Sequence, residues 1–251
     1  MRRKIYFQKR SSFFQAIVCS FIAIIVFPAM AGEAENFLKA SDRARGGMSQ
    51  GVIWQVRLES WENESYSDRS FLVKSQGKDS HVTALTPPQT KGEVYLFNDR
   101  TMWFFKPRLR KPVIISARQK LSGQAANGDI ATINYAADYT PQIEKEEILN
   151  GDKVKVLLLK AKSDQVTYDQ IRYWVSEKSK LAIKAEFMSL QGAPFKVARF
   201  EYNNSLKSQP FISKIFLADY KFPNNRSVMT FTNPKLEKFS SSIFNINDLS
   251  R

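Results

Sequence analysis

The stretch GVIWQVRLESW, residues 51–61, decides the fold class of this chain. Every second side chain in it is apolar, at Val52, Trp54, Val56 and Leu58. Successive side chains of a β-strand point to opposite faces of its sheet. This period of two therefore predicts a strand with one apolar face and one polar face.

The same alternation returns through most of the chain, separated by turn residues such as Asn98-Asp99 and Asn150-Gly151. Strands joined by such short turns pair as antiparallel neighbours. Further strands are predicted near residues 69–76, 80–85, 92–98, 101–105, 113–116, 144–149, 153–161, 168–176, 181–189, 193–202, 210–221 and 226–234. The expected fold is mainly β, of the α+β class, built as a meander of about 11–13 strands.

Two segments break the alternation. Residues 33–45 have a helical spacing of apolar side chains and end at Gly46-Gly47, which predicts a helix before the first strand. Residues 122–141 lack a period of two, and Asp129 is predicted to be the N-cap of a short helix that starts at Ile130. Both helices are expected to pack on the sheet, which would curl around them.

Residues 1–31 have the pattern of a secretory signal. Basic residues precede an apolar run at 16–27, and cleavage is predicted after Ala31. The run is shorter than the roughly 20 residues that span a bilayer as a helix, and a retained N-terminal anchor is the alternative. Cys19 is not expected to carry lipid because the apolar run continues beyond it. We therefore predict export to the periplasm and a single domain over residues 32–251.

Net charge limits the classes of partner. The chain carries a formal charge of +14, and removal of five basic residues with the signal leaves 14 − 5 = +9. Because the lysines are dispersed along strands and the chain is exported, we predict no binding to nucleic acid. A positive excess fits contact with anionic lipid head groups or an acidic partner protein. Plain solubility is the alternative interpretation.

Few residues are suited to catalysis or metal binding. His81 is the only histidine and Cys19 the only cysteine, which excludes a two-histidine metal site, a thiolate site and a disulfide in the mature protein. No nucleophile elbow surrounds His81, and the chain has no glycine-rich phosphate loop. Acidic residues at 144–147 could pair as glycosidase carboxylates, but a solvated strand face is the preferred interpretation. We expect a protein without cofactor that is not an enzyme.

Aromatic side chains are abundant, with 19 Phe, 9 Tyr and 4 Trp, and this abundance suggests a use beyond packing. In a single curved sheet, the part of the concave face that helices leave unfilled becomes an apolar cavity for a hydrophobic ligand. An ordinary core is the alternative. The predicted cavity residues are Trp54, Val56, Trp103, Phe105, Trp174 and Phe187, and a slip of one residue in register would reverse their faces.

A basic loop directly follows the aromatic strand at 101–105. The segment KPRLRKP, residues 106–112, has a proline near each end, so it is expected to be exposed. We predict that Arg108, Arg110 and, further along the chain, Arg118 contact a lipid head group or a partner protein. A solvated hairpin tip is the alternative interpretation.

Several motifs resemble one branch of the LolA-like outer-membrane lipoprotein-sorting proteins. They begin with GEVYLFNDRTMWFFKP at residues 92–107 and continue with RLRKPVIIS at 108–116. The shared pattern is a strand, a Met-Trp-aromatic step, a proline with basic residues, and a segment around an acidic residue such as Asp129. The helix end at 40–46 and the closing segment at 233–245 also fit, so the resemblance covers most of the mature chain.

The resemblance implies an incomplete antiparallel β-barrel with helices as a lid, as in LolA, LolB and RseB. It also implies a periplasmic carrier or binding protein for lipid or lipoprotein acyl chains, with a role in outer-membrane biogenesis. The expected partners are an inner-membrane transporter and an outer-membrane acceptor, and the protein is expected to be a monomer. The alternative is a non-enzymatic sensor or accessory subunit of an envelope transporter that binds protein.

Overall fold

A computed structural model describes residues 26–98, 100–108, 111–131 and 134–249. Most of these residues lie in β-strands. The strands are β1 (Val52–Glu62), β2 (Ser65–Gln76), β3 (Asp79–Thr86), β4 (Val94–Asn98), β5 (Thr101–Phe105), β6 (Val113–Ile115), β7 (Lys120–Ser122), β8 (Ala125–Ala126), β9 (Tyr139–Leu149), β10 (Asp152–Ala161), β11 (Gln170–Ser176), β12 (Ala182–Met188), β13 (Pro194–Glu201), β14 (Asn204–Leu206), β15 (Gln209–Phe211), β16 (Lys214–Asp219) and β17 (Arg226–Leu236).

Within the described residues, 13 strands form one antiparallel sheet that does not close into a barrel. Their order is β6-β5-β4-β3-β2-β1-β17-β16-β13-β12-β11-β10-β9. Each half of the sheet is a meander, and the pairing of β1 with β17 joins the two halves. The predicted fold class, an incomplete antiparallel barrel, is confirmed.

The helices are α1 (Val26–Arg43), α2 (Asn127–Ala131) and α3 (Tyr135–Asp138), and 3-10 helices at Ser241–Phe244 and Ile246–Asp248 follow the last strand. The predicted helix at 33–45 coincides with the second part of α1. Beyond this helix, Gly46 has a φ of 103°, and an added Cβ would lie 2.7 Å from the ring of Trp54. Both the left-handed backbone and the close approach require glycine.

The described residues begin inside the predicted signal. Residues 1–25, which include Cys19, lie outside them, and the side chains of residues 26–31 are not described. Cleavage after Ala31 would fall within α1 and leave its part from Gly32 onward. No helix in the described part of the chain is both long enough and apolar enough to cross a membrane.

The prediction of Asp129 as a helix N-cap is wrong. Helix α2 begins at Asn127, so Asp129 lies inside the helix. Its carboxylate accepts hydrogen bonds from the backbone N–H of Ala126 (2.8 Å) and from the hydroxyl of Tyr168, and it pairs with Lys196 of β13. A helix cap of the predicted kind occurs instead at Asn134, whose side chain accepts from the backbone N–H of Ala137 at the start of α3.

The strand predicted at 210–221 is divided in the structure. Its first residues form β15, which pairs with β14 as a separate hairpin, and the rest forms β16 in the large sheet. The break lies at Ile212, whose backbone N–H donates to the carbonyl of Ala44 (2.8 Å) just after α1. Tertiary hydrogen bonding to the end of the helix therefore interrupts a segment whose pattern is continuous.

The main hydrophobic core lies between α1, the segment that carries α2 and α3, and one face of the sheet. We call this face the hollow side and the opposite face the outer side. Helix α1 contributes buried Ala34, Phe37 and Leu38, and the sheet contributes residues such as Leu58 and Phe71. Full burial of each large apolar side chain contributes about 1.5–3 kcal/mol to folding.

The C-terminal segment covers part of the outer side. The first 3-10 helix contacts β3 and β4, and Phe244 is buried against the ring of Phe239. The ring of Phe239 in turn lies below the ammonium of Lys74 on β2 (5.8 Å). His81 alternates with buried Ser80 and Val82 of the core face, so it belongs to this covered part of the outer side.

Replacement of His81 by asparagine tests this covering. Burial, followed by the charge of Lys74, lowers the pKa of His81 from 6.5 to about 4. The unfolded chain then binds this proton more readily, so the free energy of unfolding should fall by at most about 3 kcal/mol as the pH drops from 6.5 toward 4. We expect His81→Asn to remove this loss in urea unfolding measured at several pH values.

Asp138 changes the free energy of unfolding in the opposite direction over part of the same pH range. Burial raises its pKa from 3.8 to about 6, so its contribution to stability is present at low pH and is lost as the pH rises toward 6. Both proteins contain Asp138, and the difference between their pH profiles therefore isolates His81. Identical profiles for His81→Asn and the parent would contradict the assignment.

Candidate functional site

Three of the predicted cavity residues lie on the hollow side. Trp54, Val56 and Phe187 are at most 2% exposed and belong to the main core. The ring of Trp54 packs edge-on against Phe211, and the ring of Phe187 stacks on Tyr168 with a centroid distance of 4.0 Å. In this structure the chain's own side chains fill the space around them, so a ligand reaches them only if their covering elements move.

Trp174 lies on the outer side, which corrects its predicted place in the hollow. Its neighbour Tyr173 is in the main core, whereas Trp174 packs with Val154 and Val156 in a separate cluster. The indole N–H donates to Glu147 (2.6 Å), and the ammonium of Lys184 lies 4.3 Å from the centre of the ring system. Trp174 therefore contacts both a carboxylate and an ammonium group at the surface of the sheet.

Trp103 and Phe105 also face the outer side. The residues that alternate with them in β5, Met102 and Phe104, pack in or against the main core. Trp103 lies opposite Ile114 of the edge strand β6, and both Trp103 and Phe105 are partly exposed. Their prediction as hollow-side residues is wrong because the core-facing positions of β5 are 102 and 104, and a shift of one residue reverses the face of each side chain.

The predicted basic contacts have different environments. Arg118 donates to the carbonyl of Val166 (2.9 Å) and pairs with Asp169 (2.7 Å), so it ties two segments of its own chain together. Arg108 is exposed. Arg110 lies outside the described residues. Contact of Arg108 and Arg110 with a head group or a partner stays a prediction.

A buried ion pair connects α1 to α3. Arg45 donates to Asp42 (2.8 Å), and its guanidinium lies 4.0 Å from the centre of the Tyr135 ring. The second carboxylate oxygen of Asp42 accepts from the backbone N–H of Ala136 (2.8 Å). Burial raises the pKa of Asp42 above its usual value of 3.8, although Arg45 and the backbone donors oppose this effect.

A second buried ion pair connects α2 to the sheet. Lys196 of β13 donates to Asp129 (3.1 Å), to the carbonyl of Gln124 (2.7 Å) and to the hydroxyl of Tyr168. The Tyr168 hydroxyl donates in turn to Asp129 (2.6 Å). Burial and then the charge of Asp129 raise the pKa of Tyr168 well above 10, so its proton is retained. We call this cluster the Lys196 link.

Glycine permits the close approach on which the Lys196 link depends. An added Cβ at Gly128 would collide with the hydroxyl and methyl groups of Thr167. The first turn of α2 therefore lies directly against the segment that leads into β11, and Tyr168 follows Thr167 within reach of Asp129.

An open groove lies at the end of the sheet where α1 ends, and we call it the end groove. Its volume is about 390 Å³, and a neighbouring depression of about 510 Å³ shares Gln50, Lys207 and Leu236 with it. The apolar lining consists of Ala40, Ala44, Met48, Leu181, Leu206, Pro210, Phe211 and Leu236. The volume lies within the range of about 300–1,000 Å³ found for ligand pockets.

Basic side chains also line the end groove. Arg43, Lys180 and Lys207 contribute to it, and the same lining contains no acidic residue among those described. The ammonium of Lys180 lies 3.8 Å from the centre of the Phe37 ring, which holds it beside α1. The groove therefore combines an apolar wall with positive charge, which suits an amphiphile with an anionic group.

Sequence reasoning did not find the end groove. Its wall depends on the β14–β15 hairpin, which the pattern at 210–221 had joined to β16. The available signal was Lys207-Ser208, a polar pair between apolar Leu206 and the Pro210-Phe211 step. Both residues adopt a positive φ in the hairpin turn. Within the described residues, no group of three or more His, Cys, Asp or Glu side chains could hold a metal ion.

Comparisons with known proteins give a family and a fold. A family model described as "Uncharacterized protein" matches residues 76–251. None of the curated proteins matches the chain. Among solved structures, the chain is similar to a LolA superfamily protein from Nitrosomonas europaea, with 28% sequence identity, a TM-score of 0.79, and coverage of 85% of this chain and 98% of that one.

Two further structures share the fold at lower identity. A DUF1329 family protein from Desulfovibrio piger has 17% identity and a TM-score of 0.73, with 88% of this chain and 99% of that chain covered. A structure described as an outer membrane lipoprotein-sorting protein domain, from Vibrio parahaemolyticus, has 19% identity and a TM-score of 0.73, with coverage of 88% and 100%.

Removal of one partner tests the Lys196 link. We expect Asp129→Asn or Lys196→Met alone to lower the free energy of unfolding by about 3–5 kcal/mol, because each leaves a buried charge without its partner. The double variant removes both charges and should lose clearly less than the sum of the single losses. Urea unfolding followed by tryptophan fluorescence measures all three.

The exposed ion pair of Arg57 and Asp68 supplies the matched control. Its two members are also joined by side-chain hydrogen bonds, but Arg57 is 54% exposed. Asp68→Asn should therefore change the stability very little. Additive losses at Asp129 and Lys196 would show that the two charges do not depend on each other and would overturn the assignment.

Proposed function

The chain belongs to a LolA-like family, and from this premise we propose that it is a periplasmic binding protein for the acyl chains of lipids or lipoproteins. The proposal includes transport of this ligand between membranes as a soluble carrier. It has no catalytic step and uses no cofactor. The observation that carries it is the end groove, an accessible apolar surface with basic side chains around it.

Binding in the end groove follows from burial of hydrocarbon. Each Å² of apolar surface removed from water contributes about 25 cal/mol, and the wall formed by Met48, Leu206 and Phe211 supplies such surface. Lys180 and Lys207 are placed to contact a phosphate or carboxylate group of the same ligand, where charge-assisted hydrogen bonds form. The groove thus supports amphiphiles better than uncharged hydrocarbons.

The hollow side of the sheet, next to the end groove, could accommodate acyl chains that are too long for the groove alone. Phe211 lines the groove and also packs on Trp54, so the groove is continuous with the main core. Movement of α1 together with the segment of α2 and α3 would expose the apolar hollow side. This movement must break the Lys196 link, which joins α2 to the sheet, so it requires an interaction that offsets the loss of this link.

The carrier proposal extends to location and partners. An exported protein of this kind works in the periplasm as a monomer, receives its ligand from an inner-membrane transporter, and delivers it to an outer-membrane acceptor. Release requires either moderate affinity or a moving cover, because a ligand bound very tightly would not be passed on. The residues of the end groove are the proposed contacts for this ligand.

Native mass spectrometry of protein purified from the envelope fraction tests the proposal. We expect an added mass that corresponds to a lipid or an acylated peptide. The double variant Leu181→Gln and Leu236→Gln replaces two partly exposed groove residues. It should lower the affinity for this ligand about tenfold, since loss of about 1.4 kcal/mol of apolar contact has this effect.

Ile148→Gln is the matched control, because Ile148 is 71% exposed on the edge strand β9 and does not line the groove. It should bind ligand as the parent does, and thermal unfolding should confirm that all the proteins are folded. A parent protein without bound ligand, or a groove variant that retains it fully, would contradict the proposal. An empty protein with a stoichiometric protein partner would favour an accessory subunit instead.

A further inference from the structure

Four large apolar side chains project from one end of the sheet, opposite the end groove. They are Leu190 (71% exposed), Phe195 (45%), Tyr220 (48%) and Phe222 (65%). Leu190 lies in the turn between β12 and β13, and Tyr220 and Phe222 lie in the turn between β16 and β17. Because β13 pairs with β16, the two turns are neighbours. We call this surface the tip patch.

Hydrogen bonds hold the tip patch in place. The backbone N–H of Tyr220 donates to the carbonyl of Phe195 (3.0 Å), which joins the two turns. The carboxylate of Asp219 accepts from the backbone N–H groups of Lys221 and Phe222, both at 2.8 Å. The side-chain amide of Gln170 donates to the carbonyl of Leu190 (2.8 Å). The apolar side chains are therefore displayed by ordered turns.

Basic residues accompany the apolar ones. Lys221 lies between Tyr220 and Phe222 and is exposed. Arg226 follows at the start of β17, with its guanidinium 4.9 Å from the ring of Trp61. The nearest acid in the same turn, Asp219, is occupied by backbone donors. The chain as a whole carries a net charge of +14, or +9 without the predicted signal, so its overall field attracts an anionic surface.

We propose that the tip patch docks the protein on the surface of a bilayer that contains anionic phospholipid. Leu190, Tyr220 and Phe222 project from turns and line neither the end groove nor the neighbouring depression, so they suit insertion into a deformable interface. Tyrosine is favoured at the level of the lipid head groups, with apolar side chains below it and lysine above. Lys221 and Arg226 would each be attracted to an anionic surface.

The docked orientation leaves the end groove free. The tip patch and the groove lie at opposite ends of the strands, since the β1–β2 and β16–β17 turns are at one end and the β14–β15 hairpin is at the other. The docking surface goes beyond the proposed function and does not rest on it. It is also next to the Lys196 link, since Phe195 precedes Lys196 and its ring lies 6.2 Å from that of Tyr168.

Vesicle flotation tests the docking surface. Protein purified from the envelope fraction is mixed with vesicles of phosphatidylethanolamine and phosphatidylglycerol, or with phosphatidylcholine alone. We expect binding to the anionic vesicles that weakens with salt. Leu190→Ser with Phe222→Ser should lower this binding at least about tenfold, and Lys221→Glu should lower binding to anionic vesicles only.

Ile148→Ser is the matched control, because Ile148 is as exposed as Leu190 but lies on the edge strand β9. It should bind vesicles as the parent does. A Phe222→Trp variant adds a direct reporter, whose extra fluorescence should be quenched by brominated lipid. A parent that does not float with anionic vesicles would overturn the proposal, as would a Leu190→Ser, Phe222→Ser variant that floats equally well.

The two proposals fail separately. If the tip variant loses vesicle binding but retains its co-purified ligand, the docking surface is supported independently of the groove. If vesicle binding depends on the tip patch while the parent carries no ligand, docking stands and the carrier function does not.

Discussion

The hollow side of the sheet is apolar, and this constraint governs the rest of the structure. In the described part of the chain, the 13-stranded sheet packs against helices on this side and has no second large sheet to cover it. Helix α1 and the segment of α2 and α3 must therefore do so. The pairing of β1 with β17 is equally necessary, because it brings the two meanders together around these helices.

Two buried ion pairs determine how this cover is held. The Arg45–Asp42 pair at the end of α1 contacts Ala136 and Tyr135 of α3, and Lys196–Asp129 joins α2 to the sheet. A purely apolar contact of the same area would hold the cover more simply, because burial of charges carries a large desolvation cost. Ion pairs, however, require one defined position, and once broken their charges are hydrated by water. Such contacts suit a cover that has one closed state and can also leave it.

The two ends of the sheet differ in chemistry. At one end, the β14–β15 hairpin and α1 surround an apolar groove with basic side chains. At the other, ordered turns display Leu190, Tyr220 and Phe222 to solvent. Apolar side chains that line a concave surface suit a ligand, whereas apolar side chains on projecting turns suit an interface that deforms around them. The two ends of one antiparallel sheet thus differ in shape, and we assign the proposed ligand binding to one end and the proposed membrane contact to the other.

The sequence by itself determined most strands of the large sheet, the helix before them and the family, because a period of two and a family motif are local properties of the chain. Tertiary structure decided which face each aromatic residue occupies. Trp54 and Phe187 lie on the hollow side, whereas Trp103 and Trp174 lie on the outer side. It also decided the break at Ile212 that forms the groove. Pairing register and contact with a distant helix end set these features. The alternation of apolar residues within a single strand determines neither of them.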